Sequence, residues 1–234
     1  MNAYDSDVVL PKHIGFILDG NRRWARTHSL PEFDGHLAGY NALHEVIEGA
    51  FEQGIKYVSI YAFSNENWKR NADEVSSIMK LAIRAVNQDL KMLVRNGIRV
   101  RFMGRRNGIS AKLLDGVDKA EEATKFLKNG VLGVCFNYGG QQEIVDAARQ
   151  CITDGLGAED ITEEAIADRL YAPDIPPIDI IVRTSGEQRL SNFMLWRSAY
   201  SEFMFLSKFW PEMTKEDVTT IIEEYGRRSR RFGG

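Results

Sequence analysis

The sequence predicts an α/β fold: a single domain with a mostly parallel central sheet flanked by helices. Three observations lead there. Short apolar or β-branched runs alternate with long amphipathic stretches along the chain. The long stretches end in helix stop signals. Polar and charged residues follow the strand-like runs, at the sheet edge where ligands bind in open parallel sheets.

The first strand-like run is His13 to Leu18. Val58 to Phe63, Ile98 to Met103, Val131 to Phe136 and Ile178 to Val182 are the next strand candidates. Between them, Leu37 to Gln53, Glu74 to Arg95, Ala111 to Leu127 and Glu143 to Ile152 read as helices. Gly54 and Gly97 stop the first two, Ser110 caps the third and Gly130 closes it. Asp160 with Glu163 resembles a capping box, and Thr214 with Asp217 opens the last helix in the same way. Ala172 to Pro177 is a proline-rich connection within the domain. No repeat, low-complexity tract or linker divides the chain, so residues 1–234 are expected to form one domain.

Composition narrows the function classes. A chain of 234 residues is long enough for one sizeable core. Its 44% hydrophobic and 27% charged content is ordinary for a soluble globular protein. A net charge of −3 gives no global basic field, which argues against nucleic acid. Arginines bunch locally instead: Arg22, Arg23 and Arg26; Arg105 and Arg106; Arg183, Arg189 and Arg197; Arg227, Arg228, Arg230 and Arg231. Local clusters on an acidic chain suit a small anionic ligand better than a long polyanion. Cys135 and Cys151 have neither metal nor disulfide spacing, as expected in a reducing cytosol. The acidic N-terminus is unlike a signal peptide. No apolar run approaches the roughly 18 residues of a membrane-spanning helix. A cytoplasmic location is expected.

The stretch from His13 to Trp24 carries the clearest chemistry. An apolar run ends in an acid, a glycine and an asparagine, and two arginines and a helix-compatible segment follow. That is the layout of an anion site at a strand-to-helix junction, where backbone N–H groups and the helix dipole favour phosphate oxygens. The arginines add bidentate donors. An acid among phosphates needs a bridging divalent cation, so Asp19 points to Mg²⁺. Taken alone, the pattern also fits Asp19 as a helix N-cap. Ser64 to Arg70, Asn137 to Gly140 and Arg183 to Arg189 follow three other strand candidates, so four segments converge on one edge. Ser185-Gly186 lacks the frame of a nucleophile elbow, and neither a P-loop nor a dinucleotide fingerprint is present.

Together these segments resemble the cis-prenyltransferase family, the Z-isoprenyl diphosphate synthases, and within it the bacterial undecaprenyl diphosphate synthases. The matching stretches are His13 to Trp24; Gly35-His36 with Gly39; Tyr61 to Ser64 with Glu66-Asn67-Trp68, Arg70 and Glu74; and Asn137 to Gly140. Arg183 to Glu187 with Arg189 and Ser191-Asn192-Phe193, running to Glu202, match too, as do Trp210-Pro211 and the closing Arg230 to Gly234. The likeness spans nearly the whole chain in order. It implies a Mg²⁺-dependent homodimer that adds isopentenyl diphosphate, in sequential cis condensations, to an allylic diphosphate such as farnesyl or geranyl diphosphate. Undecaprenyl diphosphate is the expected product; a short- or medium-chain product and a non-catalytic partner subunit are the alternatives. Peripheral contact with the inner face of the membrane would accompany product release. The chain has no Asp-Asp pair, which separates it from the aspartate-rich trans class.

Carried onto this chain, the resemblance makes Asp19 a catalytic residue and metal ligand, with Glu202 as the second metal-associated acid. Gly20, Asn21, Arg22 and Arg23 would cradle the allylic diphosphate, Arg23 being the more direct match, with His36 beside the same pocket. Arg183, Arg189 and Ser191 would take isopentenyl diphosphate. Ser64, Asn67, Trp68, Arg70 and Glu74 belong to a loop and helix start that closes over substrate, with Asn67 orienting the carbon that loses its proton. Trp24 and Trp68 either stack on the allyl group or pack, while Trp196 and Trp210 are expected in the core. A hydrophobic tunnel between two helices and the sheet would hold the growing chain. Its candidate liners are Leu43, Val46, Ile47, Ala62, Ile78, Leu81, Ala82, Ala85, Val86 and Leu132, with bulky Tyr40 narrowing it. Arg231-Phe232-Gly233 either reaches the partner subunit's active site or is a frayed end.

Some positions depart from the family pattern. Arg22 stands where many members carry glycine. Glu32 stands where many carry an arginine near the allylic diphosphate, and like-charge repulsion would move that contact elsewhere. Gln188 replaces a histidine found in some members, and Asn71 replaces a common proline, so a less rigid lid is expected.

Overall fold

The computed structural model describes residues 9–228. In chain order the elements are β1 (His13–Ile17), α1 (Asn21–Thr27), α2 (Glu32–Glu52), β2 (Tyr57–Ser64), α3 (Ala72–Gln88), α4 (Leu90–Asn96) and β3 (Ile98–Met103). They continue as α5 (Ala111–Thr124), β4 (Gly130–Tyr138), α6 (Gly140–Thr153), α7 (Glu163–Ala167), β5 (Ile180–Arg183), β6 (Glu202–Phe205) and α8 (Lys215–Arg227). The strands form one sheet in the order β3-β4-β2-β1-β5-β6, with every pair parallel. Parallel neighbours need crossovers, and most of the helices lie in them. The central strands β1 and β5 are buried along their whole length, which explains their unbroken apolar runs.

Side chains alternate between the two faces of the sheet. Ile14, Phe16, Val58, Ile60, Ile180 and Val182 meet Val46, Ile47 and Ala50 of α2 and Val218 and Ile221 of α8. Ile17, Tyr61, Cys135 and Ile181 belong to the cluster of Ile175, Ile178, Phe193 and Met194. Cys151 packs with Ala147, Ile166 and Leu170, and Trp196 lies against them. Both cysteines are buried and free.

The structure redraws several expected elements. The helix expected from Glu74 to Arg95 is interrupted at Asp89, giving α3 and α4. α2 begins at Glu32 rather than Leu37, with Glu32 and Asp34 in its first turn complementing the helix dipole. Gly130 is the first residue of β4, not a helix stop. Thr162, not Asp160, caps α7, its hydroxyl accepting from Ala165 N at 3.1 Å. β6 is an additional edge strand too short for a legible pattern. The tail Arg231-Phe232-Gly233 lies outside the described residues.

Register places the strand ends together. Ile17 pairs with both Tyr61 and Arg183, and Ser64 pairs with Tyr138. The segments after β1, β2, β4 and β5 therefore leave the sheet at one edge.

Candidate active site

Asp19 follows β1 directly. Its neighbour Gly20 has a φ of 105° and occupies the N-cap position of α1, with no side-chain cap bond there. A side chain at Gly20 would be strained, and its Cβ would stand 2.9 Å from both the Phe209 ring and Ser185 Oγ. The Asp19 carboxylate thus serves no capping role and is available to the site. Arg183 Nη2 donates to its Oδ2 at 2.8 Å, and Arg23 Nη2 donates to its Oδ1 at 3.3 Å. The Thr184 hydroxyl donates to the Asp19 carbonyl at 2.7 Å and lies 3.1 Å from its N–H, tying the end of β1 to β5.

Arg183 is nearly buried and has a fixed orientation. Its Nη1 donates to Ser191 Oγ at 2.8 Å and to the Arg189 carbonyl. Arg189 keeps its own guanidinium largely exposed and bonds Glu187, which also meets Arg23 at 3.1 Å. The guanidinium of Arg189 holds the Glu187 carboxyl below the usual range. Asn192, with φ 67°, joins three loops: Nδ2 donates to Glu66 at 3.3 Å, and Oδ1 accepts from Gln141 N at 2.8 Å.

A second ionic group surrounds Glu74 at the start of α3. Its carboxylate is nearly buried and meets Arg70 at 2.7 Å, His36 at 3.4 Å and Arg22 at 3.6 Å. Burial lowers the His36 pKa. Arg22 also lies 2.9 Å from Glu32, as does Arg26. The two departures from the family pattern thus meet in space. The hydrogen bond from Arg22, helped by Arg26, holds the Glu32 carboxyl below the usual range, and its charge is offset by two guanidiniums. Asn71 N-caps α3, accepting from Glu74 N at 2.7 Å.

Not every expected role is seen. Asn67 lines the cavity, but its Oδ1 accepts from Ser64 N at 3.0 Å and closes the 3₁₀ turn Asn65–Lys69. Trp68 lies outside the cavity lining, donating to Asn137 Oδ1 at 2.7 Å and meeting Phe63 edge-on. Trp24 also lies outside it, stacked on His28 with centroids 4.3 Å apart. Trp210 is buried and donates to the Gly39 carbonyl at 2.8 Å. Glu202 is not brought to Asp19 within one chain. It pairs with Ile180 at the start of β5, three residues before Arg183, and bonds Arg228 at 3.1 Å. Parallel pairing of β6 fixes that separation. Thr184 and Asn192 belong to the matching stretch but carry no expected role there; the structure makes them positioning residues. The strand-end position of the hydroxyl and the left-handed tolerance of asparagine were the available signals.

A cavity of about 780 Å³ opens from this centre. Asp19, Asn21, His36, Ser64, Asn67, Arg70, Arg183, Arg189, Ser191 and Asn192 border it, whereas Gly20, Arg22, Arg23 and Trp24 do not line it. It continues between α2, α3 and the sheet past Leu43, Ile47, Ala62, Ile78, Leu81, Ala82, Ala85, Val86 and Leu132. Of the expected liners only Val46 is ordinary core instead. Tyr40 stands in the wall.

The chain matches, over residues 17–233, the family model described as "Putative undecaprenyl diphosphate synthase". It is 44% identical over 227 residues to an isoprenyl transferase of Thermotoga maritima, covering 96% of this chain and 97% of that one. It is 45% identical over 232 residues to a Pyrococcus horikoshii protein named tritrans,polycis-undecaprenyl-diphosphate synthase (geranylgeranyl-diphosphate specific), covering 96% and 88%. The crystal structure of lavandulyl diphosphate synthase from Lavandula x intermedia, in complex with dimethylallyl diphosphate, is similar with a TM-score of 0.92. That chain is 31% identical, with 96% of this chain and 99% of that one covered. The match extends over nearly the whole chain in sequence and in fold, and the chain belongs to the cis-prenyltransferase family.

Proposed function

We propose that this protein condenses isopentenyl diphosphate, in successive cis additions, onto an allylic diphosphate such as farnesyl or geranyl diphosphate, and that its product is undecaprenyl diphosphate. One observation carries the reading: a single cavity has a mouth of arginines and an acid and a body of aliphatic side chains. The mouth suits two diphosphates and the body suits a prenyl tail. Each buried CH₂ stabilises the bound chain by roughly 0.8 kcal/mol, so growth is favoured until the wall stops it.

Asp19 fits Mg²⁺. It is a hard oxygen ligand, part-exposed at the mouth. Among the described residues no three His, Cys, Asp or Glu side chains are grouped to hold a metal by themselves. Diphosphate oxygens and water would complete the shell, which is the usual Mg²⁺ arrangement. The metal, when bound, neutralises charge growing on the departing diphosphate. Arg23, beside Asp19, then turns to the allylic diphosphate, with Arg22 and His36 behind it. Arg183, held by Ser191, presents a fixed guanidinium to isopentenyl diphosphate, and exposed Arg189 closes on it. Asn67, through the turn it caps, sets the edge of the lid over the reacting carbons. Glu202 would join a metal site only if a second copy supplied it.

A homodimer is part of the reading: the edge strand β6 exposes Phe203 and Phe205, with Tyr200 nearby, an apolar edge that a second copy would cover. Among the described residues no helix is long and apolar enough to cross a membrane. Peripheral contact with the membrane's inner face during product release is a further part of the proposal.

The test is product length from farnesyl or geranyl diphosphate and labelled isopentenyl diphosphate. Chains of eleven isoprene units support the assignment. Products of three or four units contradict it and leave the shorter-chain reading, which the bulk of Tyr40 in the cavity wall favours.

A further inference from the structure

The cavity wall is not apolar throughout. Where α2 faces the α3–α4 junction it carries a phenol, an imidazole and a carboxylate: Tyr40, His44 and Asp89. Tyr40 Oη donates to Asp89 Oδ1 at 2.7 Å. His44 Nε2 lies 3.1 Å from the same oxygen. The two rings meet edge to face with centroids 4.6 Å apart, and the Arg84 guanidinium covers the Tyr40 ring at 5.9 Å. Tyr40 is thus fixed on several sides and is buried.

Tyr40 and His44 are one and two turns beyond His36 on α2, and Asp89 is fifteen residues beyond Glu74 along α3, about 22 Å at ~1.5 Å per residue. Asp89 is the residue at which the helix is interrupted, and Leu90, Met92 and Leu93 just beyond it line the cavity with Val100 and Leu132. Leu132 pairs with both Val58 and Val100 in the sheet. Val58 is six residues before Ser64 on β2, about 20 Å at ~3.3 Å per residue. α2 and α3 are also joined at the mouth, through His36 and Glu74. The aliphatic residues Leu43, Ile78, Leu81 and Ala82 line the same cavity as His36, Tyr40, His44 and Asp89.

Polar groups in the wall of a hydrocarbon slot are costly unless paired, and these are paired with one another across the gap between helices. A chain that pushed between α2 and the α3–α4 junction would have to break that pairing and leave a carboxylate facing hydrocarbon. We infer that Tyr40, held by Asp89 and His44, bolts α2 to the α3–α4 junction and sets the length at which the growing prenyl chain stops. The inference rests on the elongating activity proposed above. It goes beyond bulk: the hydrogen bond, not only the ring, closes the wall.

Product lengths from farnesyl diphosphate and labelled isopentenyl diphosphate test it in wild type, Tyr40→Phe, Asp89→Leu and Tyr40→Ala, with melting temperatures alongside. Tyr40→Phe keeps the ring and removes the hydroxyl; Asp89→Leu keeps the branched outline, adds bulk that by itself would shorten the product, and removes the acceptor. Both are expected to shift the main product longer by about one isoprene unit, and Tyr40→Ala by more. Lengthening in Tyr40→Ala alone overturns the bolt and leaves Tyr40 a steric filler. Unchanged products in Tyr40→Phe and Asp89→Leu, whatever their melting temperatures, overturn it as well. A wild type that does not elongate overturns the activity itself, a result distinct from a wild type that elongates beside unaltered variants.

Discussion

Arg183 shows how one side chain organises the centre. Its two terminal nitrogens reach different partners, Ser191 and Asp19, from a nearly buried position. Lysine keeps the charge but cannot reproduce that fork. Arg183→Lys is expected to lower kcat/KM for isopentenyl diphosphate by on the order of 10²-fold with the circular dichroism spectrum unchanged, as steady-state kinetics would record. The strand-to-helix junction was legible at this scale: Asp19 and Gly20 fall directly between β1 and α1, and the structure frees the Asp19 carboxylate from the capping role that the same letters allow. Trp24 and Trp68 were not legible, because an aromatic beside a polar motif packs as readily as it binds. Arg22 and Glu32, each odd alone, make sense only as the pair they form in three dimensions.

Between elements, the tightest constraint is where α1 rests on α2. Gly35 and Gly39 are four residues apart and so share one helix face. A Cβ at Gly39 would stand 2.2 Å from Asn21 Oδ1, and one at Gly35 would stand 2.1 Å from the Asn21 carbonyl. The Gly35 contact is with backbone, so Gly35→Ala must push α1, and the arginines it carries, out of place. Urea unfolding should show a loss of about 1–3 kcal/mol, and the KM for the allylic diphosphate should rise. Asn71 offers a milder test. Its side chain caps α3, so the departure from proline is compensated by a cap. Asn71→Ala should cost about 1 kcal/mol in the same assay and raise activity at no substrate concentration. The alternation of strands and helices was readable because period and stop signals agreed. The break at Asp89 was not, because that residue stays near helical geometry, with φ −81° and ψ −16°, and the apolar pattern runs on. Edge strand β6 was too short to read, and with it went the position of Glu202.

The molecule as a whole has an acid-sensitive point at the root of the sheet. His13 is fully buried at the start of β1, its Nδ1–H donating to the Pro176 carbonyl at 2.9 Å and its Nε2 accepting from the Ser59 hydroxyl at 2.8 Å. Burial lowers its pKa from 6.5 to about 4. The unfolded chain takes up this proton below pH 6.5, whereas the folded chain resists it down to about pH 4. The stability linked to the neutral ring is complete above the upper value and is lost as pH falls through the window. The shift corresponds to about 3 kcal/mol. Urea midpoints of wild type should fall across that range, and those of His13→Gln should fall less.

Across the whole molecule, one charged mouth, centred on Asp19 and Arg183, opens into one aliphatic cavity, an arrangement suited to elongating a prenyl diphosphate. The most direct measurement is incorporation of labelled isopentenyl diphosphate onto farnesyl diphosphate, with Mg²⁺, by wild type and by folded Asp19→Ala. Wild type should elongate the primer and lose that activity on chelation, and Asp19→Ala should fall by about 10³-fold or more in kcat. Near-normal turnover by Asp19→Ala would remove Asp19 from the reaction and with it the metal site at the mouth.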